Sequence, residues 1–188
     1  MIEKSFAKIN GYYESIVSGS SDEFFDMISG CPTEYYPIND PSGLNGDLDK
    51  TYETIADFLF KGYPVTSGVP GCDETVKEET NLVCGHDYTV TNITTLPDGR
   101  KVILTRNPHG KDNWYGALND TCDEMTDEVR QYLGFNSNKN DGFVWMLMED
   151  YMKYFTSIHV GYYIDDEWNN ILPMDDLASG TYDYYVTF

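Results

Sequence analysis

Apolar residues recur at helical spacing through Ile2, Phe6, Ile9, Tyr13 and Ile16/Val17, with the Asn10-Gly11 pair interrupting the run. The pattern predicts a helix followed by a bend. A second helix is signalled by Ser20-Ser21-Asp22-Glu23, where a hydroxyl and a carboxylate three residues on can satisfy free backbone N–H groups, and Gly30 and Pro32 stop it. After a polar loop from Pro37 to Gly46, the residues Tyr52, Ile55, Ala56 and Leu59 mark a third helix that ends at Gly62-Tyr63-Pro64.

From Leu82 the period changes to two. Val83 to Leu96, a Pro97-Asp98-Gly99 turn and Lys101 to Arg106 together read as an antiparallel hairpin rich in Thr, Val and Ile. Phe143-Val144-Trp145 predicts a further strand, Glu149 to Phe155 a short helix, and Ile158 to Tyr163 and Tyr182 to Val186 two more strands. No internal repeat is present, and the Asn-rich stretch from Asn136 to Asn140 reads as a turn.

Of the 188 residues, 40% are apolar and 15% aromatic, enough to build one core and too hydrophobic for disorder throughout. With 12 Lys plus Arg against 32 Asp plus Glu, the net charge is −20. A charge of that sign repels phosphate backbones and anionic lipid, so neither nucleic acid nor membrane is an expected partner. No stretch opens the chain as a secretory leader or is long and apolar enough for a membrane span. Cys31, Cys72, Cys84 and Cys122 show no Cys-x-x-Cys spacing, and they read as small buried hydrophobes or idle thiols. A reduced, cytoplasmic protein is the expectation.

The candidate chemistry lies at the open end of the hairpin. His86 sits just after Gly85 at the mouth of the first strand and Asn107 follows the second, so folding back at Asp98-Gly99 makes them neighbours although they are 21 positions apart. An amide oxygen that accepts one imidazole N–H fixes the ring's orientation and tautomer, leaving the other nitrogen to take a proton from a thiol. The pair would make two thirds of a Cys-His-Asn triad; the alternative on spacing alone is a satisfied structural histidine near a strand end.

At these residues the sequence resembles the calpain family of cysteine proteases, specifically the second half of their papain-like catalytic core. Glu3-Lys4-Ser5-Phe6-Ala7-Lys8-Ile9-Asn10-Gly11-Tyr12-Tyr13-Glu14 looks like the helix joining the two halves. Leu82-Val83-Cys84-Gly85-His86-Asp87-Tyr88 and Arg106-Asn107-Pro108-His109-Gly110 are the most diagnostic pieces. Trp114, Gly116-Ala117 and Asp120 follow, then Asp141-Gly142-Phe143-Val144-Trp145-Met146. The resemblance runs from Glu3 to about Tyr163. It implies an α+β fold, a twisted antiparallel sheet with flanking helices, and a single lobe: an inter-lobe helix over 1–17, the lobe proper over 18–163 and an extension over 164–188. It also implies that His86 is the general base and Asn107 the residue that orients its ring.

Three departures accompany the resemblance. No Gln-x-x-x-Gly-x-Cys-Trp stretch, the family's source of nucleophile and oxyanion-hole Gln, occurs in these residues. His109 stands where the family usually has a Trp that shields the His–Asn bond. Asp87 replaces a small residue beside the base, where a carboxylate reaching the ring would favour imidazolium. The resemblance further implies calcium, held by acidic loop ligands at Asp120 and Asp141, whereas Asn113 and Phe143 occupy positions where the family tends to have Glu. The acidic stretch from Asp120 to Glu128 reads as a solvated loop and helix.

The expected function is that of the His/Asn lobe of a calpain-like endopeptidase, active on protein substrates only when a Cys-bearing lobe joins it. The competing expectation is a catalytically inactive calpain-like module that binds other protein subunits.

Overall fold

In the computed structural model, which describes residues 2–72, 74–135 and 140–163, the N-terminal third is α1 (Ile2–Ile9), a 3-10 turn (Tyr13–Ile16), α2 (Ser21–Ser29), β1 (Thr33–Pro37) and α3 (Leu48–Phe60). Then come β2 (Val65–Val69), α4 (Glu74–Thr80), β3 (His86–Thr95), β4 (Lys101–Arg106), α5 (Asp127–Leu133), β5 (Phe143–Leu147), α6 (Met148–Tyr154) and β6 (Ser157–Gly161). The strands form one antiparallel sheet in the order β1-β6-β2-β3-β4-β5. This is the α+β architecture that the sequence implies.

Local chemistry sets the boundaries. Gly11 adopts φ +100°, which ends α1 where the Asn-Gly pair predicts a bend. Ser20 caps α2 by accepting the Asp22 N–H at 3.3 Å, and Gly30 closes it in the left-handed region. The Asp47 carboxylate accepts the Lys50 N–H at 2.9 Å and starts α3.

β1, β2 and α4 are additions to the sequence expectation. Thr33–Pro37 and Val65–Val69 are five-residue strands broken up by Pro or Gly, and Glu74–Thr80 is polar with almost no apolar stripe, so none carries a periodic signal. The strand expected at Tyr182–Val186 lies outside the described residues, as does the extension over 164–188.

Two apolar layers enclose the sheet. Ile55 and Phe58 of α3 and Tyr151 and Phe155 around α6 pack on Val65, Tyr88, Ile103, Met146 and Ile158. Full burial of side chains of this size contributes roughly 1.5–3 kcal/mol each. Val102 and Trp145 instead meet Leu96, Leu118 and Met125, with Val129 and Leu133 of α5 alongside. Among the described residues no helix is long and apolar enough to cross a membrane.

Candidate active site

The hairpin places the two expected residues together. Thr89 pairs with Arg106 in the β3–β4 register, so the chain entering β3 and the chain leaving β4 run side by side. Asn107 Oδ1 lies 3.0 Å from His86 Nε2. Backbone groups decide which end of the carboxamide faces the ring: the His109 N–H donates to Asn107 Oδ1 at 3.0 Å, while Asn107 Nδ2 donates to the Lys111 carbonyl at 3.2 Å. A backbone N–H can only donate and a carbonyl can only accept. The oxygen therefore faces His86, Nε2 carries the proton, and Nδ1 is the basic nitrogen.

The carboxamide is fully buried. Asn107 N–H donates to the Gly142 carbonyl at 2.8 Å, and its own carbonyl accepts the Gly110 N–H at 2.9 Å. Gly142 has φ +91°, and a Cβ there would stand 2.6 Å from the Asn107 carbonyl oxygen, so this contact requires glycine.

His86 is half-buried between two rings. Tyr88 meets it edge-on at 5.2 Å between centroids, and the exposed His109 stacks on it at 4.4 Å. Burial holds its pKa below the usual imidazole value; the Asn107 bond works in the opposite direction, charge on His109 lowers it further, and Asp87 opposes that last and least. Asp87 Oδ2 accepts the Ser21 hydroxyl at 2.5 Å, so the carboxylate favours the charged ring only through that last and smallest contribution.

The segment before His86 is anchored by side chains and a crosslink. Tyr88 Oη accepts the Val83 N–H at 2.9 Å, and the Gly85 N–H donates to the Pro70 carbonyl at 3.0 Å. Cys72 and Cys84 are joined as a disulfide with their Cα atoms 5.5 Å apart, which corrects the reading of both as idle thiols. Two loop cysteines 12 positions apart match no sequence motif, and only the turn after β2 brings them together. Cys31 is buried beside Ser29 and Cys122 is half-buried, in keeping with small apolar roles.

His86, Gly85 and Pro108 border an open cavity of 490 Å³ whose other wall is Phe6, Phe24 and Met27. Of its lining, Val17, Phe24 and Met27 are exposed, as are the apolar side chains of Ile9, Tyr12, Tyr13 and Ile28 elsewhere along the N-terminal segment.

A second histidine sits nearby without joining this site. His159 Nδ1 lies 2.9 Å from Asp22 Oδ1 and its Nε2 3.2 Å from Ser157 Oγ. The connectivity imitates a Ser-His-Asp triad, yet both Ser157 and His159 are buried and neither lines the cavity. It joins α2 to β6. The sequence gives no hint of it, because Asp22 lies on α2, far along the chain from Ser157 and His159 on β6.

The expected calcium ligands are arranged differently from a calcium cage. Asp120 is buried, which corrects its reading as part of a solvated stretch, and neither carboxylate oxygen has a hydrogen-bond partner. Burial, with the negative charge of Asp112 second, pushes its pKa up to about 7; Arg130 opposes the rise. Asp141 Oδ1 accepts the Phe143 N–H at 3.1 Å, and Asp112 Oδ1 accepts the N–H groups of Asp141 and Gly142. Asn113 turns to Asn107, Phe143 supplies no side-chain oxygen, and among the described residues no group of three or more acidic, His or Cys side chains gathers as a metal site. Among the described residues this donor set falls short of the six to eight oxygens that a calcium ion takes.

Comparison with known proteins agrees with the geometry. The chain matches the family described as calpain family cysteine protease over residues 1–162. It is 32% identical to mouse Calpain-8 over 169 residues, covering 85% of this chain and 23% of that protein. Human Calpain-2 catalytic subunit is 28% identical over 191 residues, covering 97% of the chain and 25% of that protein. The calpain-type cysteine protease DEK1 of Arabidopsis thaliana is 26% identical over 162 residues, which is 85% of the chain and 8% of that protein. The chain thus spans a quarter or less of the length of these relatives. A buried, backbone-oriented Asn–His pair and a family match over most of the sequence lead to one assignment: this chain belongs to the calpain family of cysteine proteases.

Proposed function

We propose that this chain is the His/Asn lobe of a calpain-like cysteine endopeptidase and hydrolyses peptide bonds when a Cys-bearing lobe docks across the cavity. The observation that carries the reading is the His86–Asn107 bond, in which two backbone groups dictate the orientation of the carboxamide. With Nε2–H committed to Asn107, Nδ1 takes the proton of an incoming thiol. The thiolate attacks the peptide carbonyl carbon, and the imidazolium returns its proton to the leaving amine. Water, deprotonated by the same nitrogen, then releases the acyl group and the thiol. Oxyanion donors come with the other lobe. The exposed apolar side chains of Val17, Phe24 and Met27 in the cavity lining suit such a docking face.

Residues 1–17, which include α1, act as the inter-lobe connection, 18–163 as the lobe and 164–188 as an extension, and the assembly works in the cytoplasm, where the Cys72–Cys84 bond is an exception to the reduced state expected there. No step passes through calcium. The exposed His109, which shields the pair less than a Trp would, favours a second reading as a non-catalytic module that binds other subunits.

The test is to purify the chain alone and together with a calpain Cys-bearing lobe, and to follow hydrolysis of an unfolded protein substrate. Turnover only in the complex, abolished by His86→Ala, is the expected result. Turnover by the chain alone, or a complex that forms and stays inactive, overturns the protease reading, and the latter outcome supports the module.

A further inference from the structure

We propose that Asn113 is a positioning residue for His86, acting through Asn107. The inference rests on His86 being the base of the proposed reaction, but its test needs no turnover.

All four hydrogen-bonding valences of the buried Asn107 carboxamide are used. Its oxygen takes His86 Nε2–H and the His109 N–H; its nitrogen donates to the Lys111 carbonyl at 3.2 Å and to Asn113 Oδ1 at 2.5 Å. Asn113 Oδ1 is the nearest of the four partners and the one supplied by a side chain outside the His–Asn pair. It is also firmly placed. The next residue, Trp114, is buried and its indole N–H donates to the Ala117 carbonyl at 2.9 Å, while the Tyr115 N–H donates to the Thr80 carbonyl at 3.0 Å. On the other side, Asp112 holds the Asp141-Gly142 turn through two N–H bonds. An oxygen fixed at this point adds to the two backbone groups in holding the plane of the Asn107 amide, and how squarely the amide oxygen meets Nε2–H sets how far that tautomer is favoured.

The consequence for the chain is specific. At a position where family resemblance leads one to expect a Glu serving an ion, the side-chain oxygen serves the His–Asn pair instead.

The experiment is long-range ¹H–¹⁵N NMR of the His86 ring at a pH where it is neutral, on the unmodified chain, Asn113→Leu, Asn113→Ala and Asn113→Asp. The unmodified ring is expected as the Nε2–H tautomer. Asn113→Leu and Asn113→Ala lack the acceptor, and the tautomer ratio should fall by roughly fivefold, the factor that one neutral hydrogen bond supports. Asn113→Asp keeps an oxygen at that point and should restore the single tautomer. Unchanged His86 nitrogen shifts in a folded Asn113→Leu or Asn113→Ala overturn the proposal, as does an Asn113→Asp ring as mixed as that of the alanine variant. Failure of the protease reading is separable: it removes turnover in the two-lobe complex while the tautomer pattern stands.

Discussion

His109 lies in a near-parallel stack on His86, with 22° between the ring planes. Charge on the outer imidazole opposes charging of the inner one, which burial already keeps below its ordinary pKa. Replacing the outer ring by a neutral side chain of similar size, His109→Gln, should therefore move the His86 titration upward in an NMR pH series. A downward or absent shift would show that the stack carries no electrostatic coupling. In the two-lobe complex, the same variant should shift the acidic limb of the rate profile in the same direction.

Asp120 provides a stability test with a defined sign. Its pKa is about 7 in the folded chain and near 3.8 unfolded, so between those values the folded state holds the extra proton and stability falls as pH rises. Asp120→Asn removes the charge that must otherwise be buried. It should stabilise the fold at pH 8 by roughly 1–3 kcal/mol and have little effect at pH 4, measured by chemical denaturation. Adding millimolar calcium at pH 8 should leave the unmodified melting curve in place. A marked calcium-induced rise that disappears in Asp120→Asn would reinstate the ion site.

The Cys72–Cys84 crosslink closes a short loop that contains α4 and ends just before His86. Chain-entropy arguments give such a closure roughly 2–4 kcal/mol. The Cys72→Ser/Cys84→Ser double variant, or the chain in strong reductant, should unfold at correspondingly lower denaturant. Amide exchange should rise first between residues 70 and 86. An unchanged midpoint would mean that the crosslink adds nothing to the hydrogen bonds already holding this segment.

The Asp22–His159–Ser157 connection joins α2 to the sheet. Asp22→Ala leaves the buried imidazole without that partner and should cost roughly 1–3 kcal/mol of folding stability. Because Ser157 is buried, an organophosphonate serine reagent should leave it unlabelled under native conditions. Rapid labelling would turn a structural clamp into a second reactive centre.

The hairpin and its His–Asn juxtaposition were legible in the sequence because they depend on local signals: a Pro-Asp-Gly turn, alternating side chains on both arms, and one titratable or amide residue at each open end. The helices capped by Ser20 and Asp47 were legible for the same reason, at least in their cores. What stayed hidden depends on the path of loops. Asn113 reads as a degraded ion ligand until the turn after Gly110 brings it to Asn107. Asp120 sits in a run of acids that looks solvated, yet Leu118 and Met125 on either side draw it inward. Cys72 and Cys84 have no tell-tale spacing, and β2 has a Gly where a strand pattern needs a side chain. That same Gly68 has a use in three dimensions, because a Cβ there would meet Ser157 Oγ at 2.7 Å and Asp87 Oδ1 at 2.9 Å.

Val144 and Met146 of β5 face one apolar layer while Trp145 between them faces the other, and β4 divides Ile103 and Val102 in the same way. The strand that delivers Asn107 is thus gripped from both sides, like a beam clamped at two surfaces. Erosion of either surface loosens the same support, so substitutions far from the imidazole, around Met125 or Phe58 alike, will be felt as a change in how steadily the amide is presented.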